Sequence, residues 1–113
     1  MNWTELKSEE QVKLIDEESR NQPVLIFKHS TRCSISATAL NRLERTWNES
    51  EVTMKRYYLD LLSHRDISNH IAAKFDVEHQ SPQVLVVKNG KPVLVQSHLG
   101  INFEEIRKSA ATS

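Results

Sequence analysis

Cys33 is the only cysteine in the chain, and it lies in the run His29-Ser30-Thr31-Arg32-Cys33-Ser34-Ile35-Ser36. Before it, Val24-Leu25-Ile26-Phe27 reads as a buried strand; after it, Ile35, Ala39, Leu40, Leu43 and Trp47 recur at helical spacing. The cysteine therefore stands where a strand becomes a helix. There the first turn of amides has no intrahelical partner, so a sulfur in the capping position is expected to accept hydrogen bonds from the amides of Ile35 and Ser36. Those donors and the positive end of the helix dipole favour thiolate over thiol, and Arg32 adds a formal positive charge beside it. A small inert core cysteine is the alternative. Hydroxyls on both sides and an adjacent arginine serve an exposed nucleophile and give an inert thiol nothing. Ser36 either donates a hydrogen bond to the Cys33 sulfur or bonds back to a backbone carbonyl as a helix serine does. His29 either acts as a base or simply ends the strand.

The elements that must hold this turn fit one domain spanning residues 1–113, since 113 residues make one core and are too few for two ordinary ones. Lys plus Arg and Asp plus Glu each number 15, so no net charge calls for nucleic acid or an anionic membrane. The apolar runs are far too short to span a bilayer, and the first residues lack the order of a signal peptide, so a cytoplasmic protein is expected. A lone cysteine cannot form an internal disulfide, and no Cys/His spacing suits a structural metal site. No bound cofactor or metal is expected. His64, His70, His79 and His98 have unrelated spacings and read as surface residues.

Ser8, with Gln11 three residues on, forms a capping box for a helix reaching about Ser19. Its acidic run reads as a solvated face. The strand at 24–28 and the cysteine helix follow, the helix fading between Asn48 and Glu51. A second core strand spans 55–60. Ser63 or Asp66 is placed to cap the next helix, which carries Ile67, Ile71, Ala72 and Phe75 on one face. After a connection at 76–80, Ser81-Pro82 opens an apolar strand at 84–87. Asn89-Gly90 is a hairpin turn leading to a partner strand at 92–96. Asn102 caps a last helix, and residues 110–113 are expected to fray. Two strand-helix-strand crossovers followed by an antiparallel hairpin describe an α/β fold: a mixed sheet with helices on both faces, in the thioredoxin-like arrangement.

The landmarks Cys33, Phe75-Asp76-Val77, Gln80-Ser81-Pro82, the strand at 84–87, Lys88-Asn89-Gly90-Lys91 and Gly100 stand in thioredoxin order. Within that superfamily, Thr31-Arg32-Cys33-Ser34-Ile35-Ser36 resembles the active-site segment of the YtxJ-type monothiol bacilliredoxins, stress-linked proteins of the bacillithiol system. The resemblance implies a thiol-disulfide oxidoreductase that removes bacillithiol from protein mixed disulfides, with Cys33 attacking, Arg32 and Ser36 assisting, and Thr31, Ser81 and Pro82 lining the client groove. Bacillithiol is then a substrate rather than a bound cofactor. The partners are bacillithiolated client proteins and a reductase or second small thiol, and the protein is expected to be a monomer. Together with the economy of cis bonds at proline, it also implies a cis Ser81–Pro82 bond facing Cys33.

A dithiol enzyme carries a second cysteine three residues after the first, where this chain has Ser36. Without a resolving thiol the chemistry stops at a mixed disulfide. Two other readings of the same turn are a binding module that holds a partner segment in the groove without turnover, and a sensor whose thiol is capped by a small thiol.

Overall fold

A computed structural model describes residues 2–111. A five-stranded sheet has the order β1-β3-β2-β4-β5, with β1 at Thr4–Glu5, β2 at Val24–His29, β3 at Lys55–Asp60, β4 at Gln83–Lys88 and β5 at Lys91–Ser97. β1 and β2 run parallel to β3, whereas β4 is antiparallel to both β2 and β5. The mixed sheet expected from the crossover order is the one observed. β1 was not foreseen. Two residues, both exposed, carry no alternation to read, and they become a strand only by pairing with Tyr57 and Tyr58.

Four helices cover both faces, as expected. On one face α1 (Glu9–Glu18) and α3 (Arg65–Phe75) place Val12, Ile15, Ile67, Ile71 and Phe75 over Val24, Ile26, Leu59, Leu85 and Val87. On the other, α2 (Ser34–Thr46) and α4 (Phe103–Ala111) set Ala39, Leu43, Phe103 and Ile106 against Leu25, Phe27, Val84 and Val86. Covered on both sides, β2 is buried along its whole length and opens with the apolar run Val24–Phe27, the pattern of a central strand. α1 starts at the expected capping box, with the Ser8 hydroxyl accepting from the Gln11 amide and the Gln11 side chain accepting from the Ser8 amide.

Local corrections follow from tertiary contacts. α3 is not capped by a side chain: His64 occupies the position, while the Ser63 hydroxyl donates to Asp60 Oδ2 at 3.0 Å. α2 stops at Trp47, sooner than expected, where that ring turns to pack on Phe103 with 4.9 Å between centroids. A single 3-10 turn at His98–Gly100 follows β5, and its His98 amide donates to the Pro82 carbonyl at 3.0 Å. The hairpin is as expected, with Asn89 at φ 53° and Gly90 at φ 74°. It is also tied to the end of α1, because Ser19 accepts from both the Asn89 and Gly90 amides. The last two residues of the segment expected to fray lie outside the described residues.

Candidate active site

The parallel strands β2 and β3 end together, His29 opposite Asp60, and the Leu61 amide donates to the His29 carbonyl at 2.9 Å. The turn after β2 thus leaves the sheet at its carboxyl edge and bends into α2 through Cys33. β4 begins at that same edge: Gln83 lies opposite Lys28, and the preceding Ser81–Pro82 bond is cis, as expected. The cysteine turn, the proline loop and the 3-10 turn bonded to it share one end of the molecule.

Cys33 is the N-cap of α2, with extended backbone at φ −106° and ψ 119°. Its amide donates to the Ser30 carbonyl at 3.1 Å and its carbonyl accepts from Ala37 at 3.1 Å, so the turn is closed on both sides of the cysteine. The thiol is half-buried, while Thr31, Arg32, Ser34 and Ile35 around it are exposed. One expectation is corrected: the sulfur takes no capping hydrogen bond. An uncharged thiol is a weak acceptor and does not draw the amides in.

Ser36 is also corrected. Its side chain is fully buried, and its hydroxyl is 2.6 Å from His29 Nδ1 and accepts from the Ser30 amide at 3.1 Å. It holds the end of β2, and neither alternative read from the sequence, a bond to the Cys33 sulfur or one back to a backbone carbonyl, is the bond formed. His29 is likewise more than a strand end. It is buried between Phe27 and Tyr58, and burial holds its imidazole below the usual histidine range despite the opposing pull of Asp60. A neutral imidazole can pair with Ser36 as donor or as acceptor. Ser36, three residues after Cys33, is therefore the pin that fastens the cysteine turn to the sheet. Ser36→Ala is expected to strip partners from a buried imidazole and from the Ser30 amide, losing about 1–3 kcal/mol of stability in urea denaturation and slowing exchange without abolishing it.

On the opposite face of β2 lies a residue whose role sequence reading missed. Lys28 is fully buried, with one hydrogen bond, Nζ to the Ser68 carbonyl at 3.4 Å, and burial pushes its ammonium down to about 8. The available signal was a lysine inside an otherwise apolar strand. Ser68, also buried, places its hydroxyl 3.3 Å from His79 Nδ1. His79 is held below its ordinary value by burial and by the charges of Lys28 and Arg65.

Comparison with known proteins bears on this geometry directly. Residues 4–106 match the family model described as monothiol bacilliredoxin BrxC. The chain belongs to the monothiol bacilliredoxin family. A solved structure provisionally described as an oxidoreductase with a thioredoxin fold is similar at 35% identity and TM-score 0.80, covering 93% of this chain and 90% of that one. Thioredoxins share the fold at lower identity. That of Schistosoma mansoni has 18% identity and TM-score 0.69, covering 97% of this chain and 99% of that one. That of Trypanosoma brucei brucei has 21% identity and TM-score 0.68, covering 96% and 87%. The family and fold support a thiol-disulfide redox function, and in this chain Cys33 is the only side chain that can carry it. Among the described residues no helix is long and apolar enough to cross a membrane.

Proposed function

We propose that this bacilliredoxin removes bacillithiol from protein mixed disulfides by a monothiol route. The observation that carries the reading is the placement of a half-buried Cys33 at the start of α2, at the sheet edge it shares with the cis Ser81–Pro82 loop, with a serine pinned at the resolving position. The Cys33 thiolate attacks the bacillithiol sulfur, the client sulfur leaves as a thiolate, and bacillithiol stays on Cys33 as a mixed disulfide. A second small thiol, or a reductase, attacks that disulfide and returns Cys33 to the thiolate. The amides of the first turn of α2, which have no intrahelical partner, and Arg32, exposed and next in sequence to Cys33, supply positive potential that favours the thiolate. Half-buried Ser81 and exposed Thr31 offer polar contact to an extended client segment, Pro82 lies buried beneath with its carbonyl taken by the His98 amide, and Ile35 and Leu99, 47% and 71% exposed, add apolar surface at the same end. The protein works as a monomer in the cytoplasm on bacillithiolated clients, with bacillithiol as substrate and no resident cofactor.

The test is mass spectrometry of the Cys33 peptide after incubation with a bacillithiolated protein. The expected result is one bacillithiol added at Cys33 and an equal amount of client thiol set free. Client retention with no adduct and no freed thiol would favour a binding module, and an adduct formed from free bacillithiol disulfide alone would favour a sensor.

A further inference from the structure

The cysteine turn closes on itself through a circuit of hydrogen bonds. The Cys33 amide donates to the Ser30 carbonyl at 3.1 Å, the Ser30 amide donates to the Ser36 hydroxyl at 3.1 Å, and that hydroxyl lies 2.6 Å from Nδ1 of His29. His29 is the member of the circuit that belongs to the sheet. Its strand is paired with β3 as far as Asp60, its carbonyl takes the Leu61 amide at 2.9 Å, and its ring packs near Phe27 and Tyr58, with centroids at 6.2 and 5.5 Å. The turn hangs from this fixed end. Ser36 is fully buried, and its bonds to Ser30 and His29 are the two that its hydroxyl makes among the described residues. An amide N–H only donates, so the Ser36 oxygen is the acceptor toward Ser30.

We propose that His29 is a positioning residue for the exchange reaction: its bare Nδ1 accepts the Ser36 hydroxyl and thereby, through Ser36 and Ser30, fixes the direction in which Cys33 presents its sulfur. This rests on the reading of Cys33 as the attacking thiol and adds the residue that aims it. The direction of the bond follows from proton counting. A proton on Nδ1 would make the Ser36 oxygen accept twice and leave its own proton buried without a partner, which buried donors rarely are. With Nδ1 bare, every donor in the circuit is used and the bonds run head to tail, Ser30 amide to Ser36 and Ser36 to His29. Burial holds the ring below the usual histidine range, so near neutral pH one ring nitrogen is free to accept. Aim matters because an attacking sulfur has to lie in line with the disulfide bond that breaks, and a small misplacement of reacting atoms is costly in rate.

The test is single-turnover cleavage of a peptide that carries 2-mercaptoethanol in disulfide linkage. Cys33 thiolate bonds to the 2-mercaptoethanol sulfur, the peptide sulfur leaves as a thiolate, and the peptide thiol is counted. His29→Leu keeps apolar filling near Phe27 and Tyr58 and removes the acceptor. It should lower the saturating rate about tenfold, the scale of one lost hydrogen bond, and leave the half-saturating concentration unchanged. Alkylation by iodoacetamide, a small reagent that meets a thiolate from any side, should change by less than about twofold. His29→Asn sets a carbonyl oxygen near the place of Nδ1 but fills the site less well and buries an amide, so it should be the less stable variant in urea and yet the faster in cleavage. Adding His29→Leu to Ser36→Ala should make cleavage no slower than Ser36→Ala alone, since both act through one bond. Nitrogen NMR of the reduced wild type reads the tautomer without turnover, and the ring proton should be on Nε2. A proton on Nδ1, equal loss in cleavage and alkylation, rates that follow stability, or additive losses would each overturn the positioning role. A bacillithiolated client left intact while the 2-mercaptoethanol peptide shows the His29→Leu loss would count against the proposed substrate and leave the positioning role standing.

Discussion

Cys33→Ala is expected to reduce release of bacillithiol from a mixed-disulfide client to the rate of the protein-free control. The exchange needs a nucleophilic sulfur, a leaving thiol and access, and no second cysteine exists to substitute for Cys33. Structural disturbance should be small. The cysteine is half-buried at an N-cap and its side chain makes no capping hydrogen bond, so circular dichroism and the urea midpoint of the variant should stay close to wild type. Client thiol release, followed with a thiol-reactive dye, is the measurement. Persisting release in the variant would remove the enzymatic reading, since no other side chain at this edge can form the mixed disulfide.

Lys28→Met should stabilise the fold by about 3 kcal/mol near neutral pH, the largest change in stability that the structure points to. The ordinary lysine value is 10.5, and in the folded chain Lys28 is lowered to about 8 by burial. Below pH 8 folded and unfolded chains both hold the proton, and the fold bears the full cost of an ammonium with one long hydrogen bond. Between about 8 and 10.5 the unfolded chain holds more protons than the folded one, so the wild type gains stability as pH rises. Methionine keeps the length of the side chain and removes the charge. The advantage of the variant should therefore be large near pH 7 and nearly gone near pH 10.5, which paired urea denaturations at the two values will show. An advantage that does not change with pH would mean that packing, and not the charge, is responsible.

Much of this molecule was legible one residue at a time. The strand, cysteine and helix order, the capping box at Ser8 and Gln11, the Asn89-Gly90 hairpin and the proline entry to β4 are all local signals, because periodicity, capping and turn conformation are decided within a few residues. The absence of a resolving thiol is pure sequence, and it alone restricts the chemistry to a mixed disulfide. Partnership is another matter. That Ser36 turns to His29 and away from Cys33 depends on how α2 lies across the end of β2. β1 exists only because β3 pairs with it, and Trp47 ends α2 because Phe103 is there to receive its ring. The contacts that run from Lys28 through Ser68 to His79, residues scattered through the chain, required β2, α3 and the loop before β4 to meet at one edge. Sequence by itself determined the single thiol and the order of the elements around it, since both follow from side-chain identity and local backbone preference. Only the tertiary structure decided which polar groups face one another, because hydrogen bonds and charge fields act through space between segments whose separation along the chain says nothing of their distance.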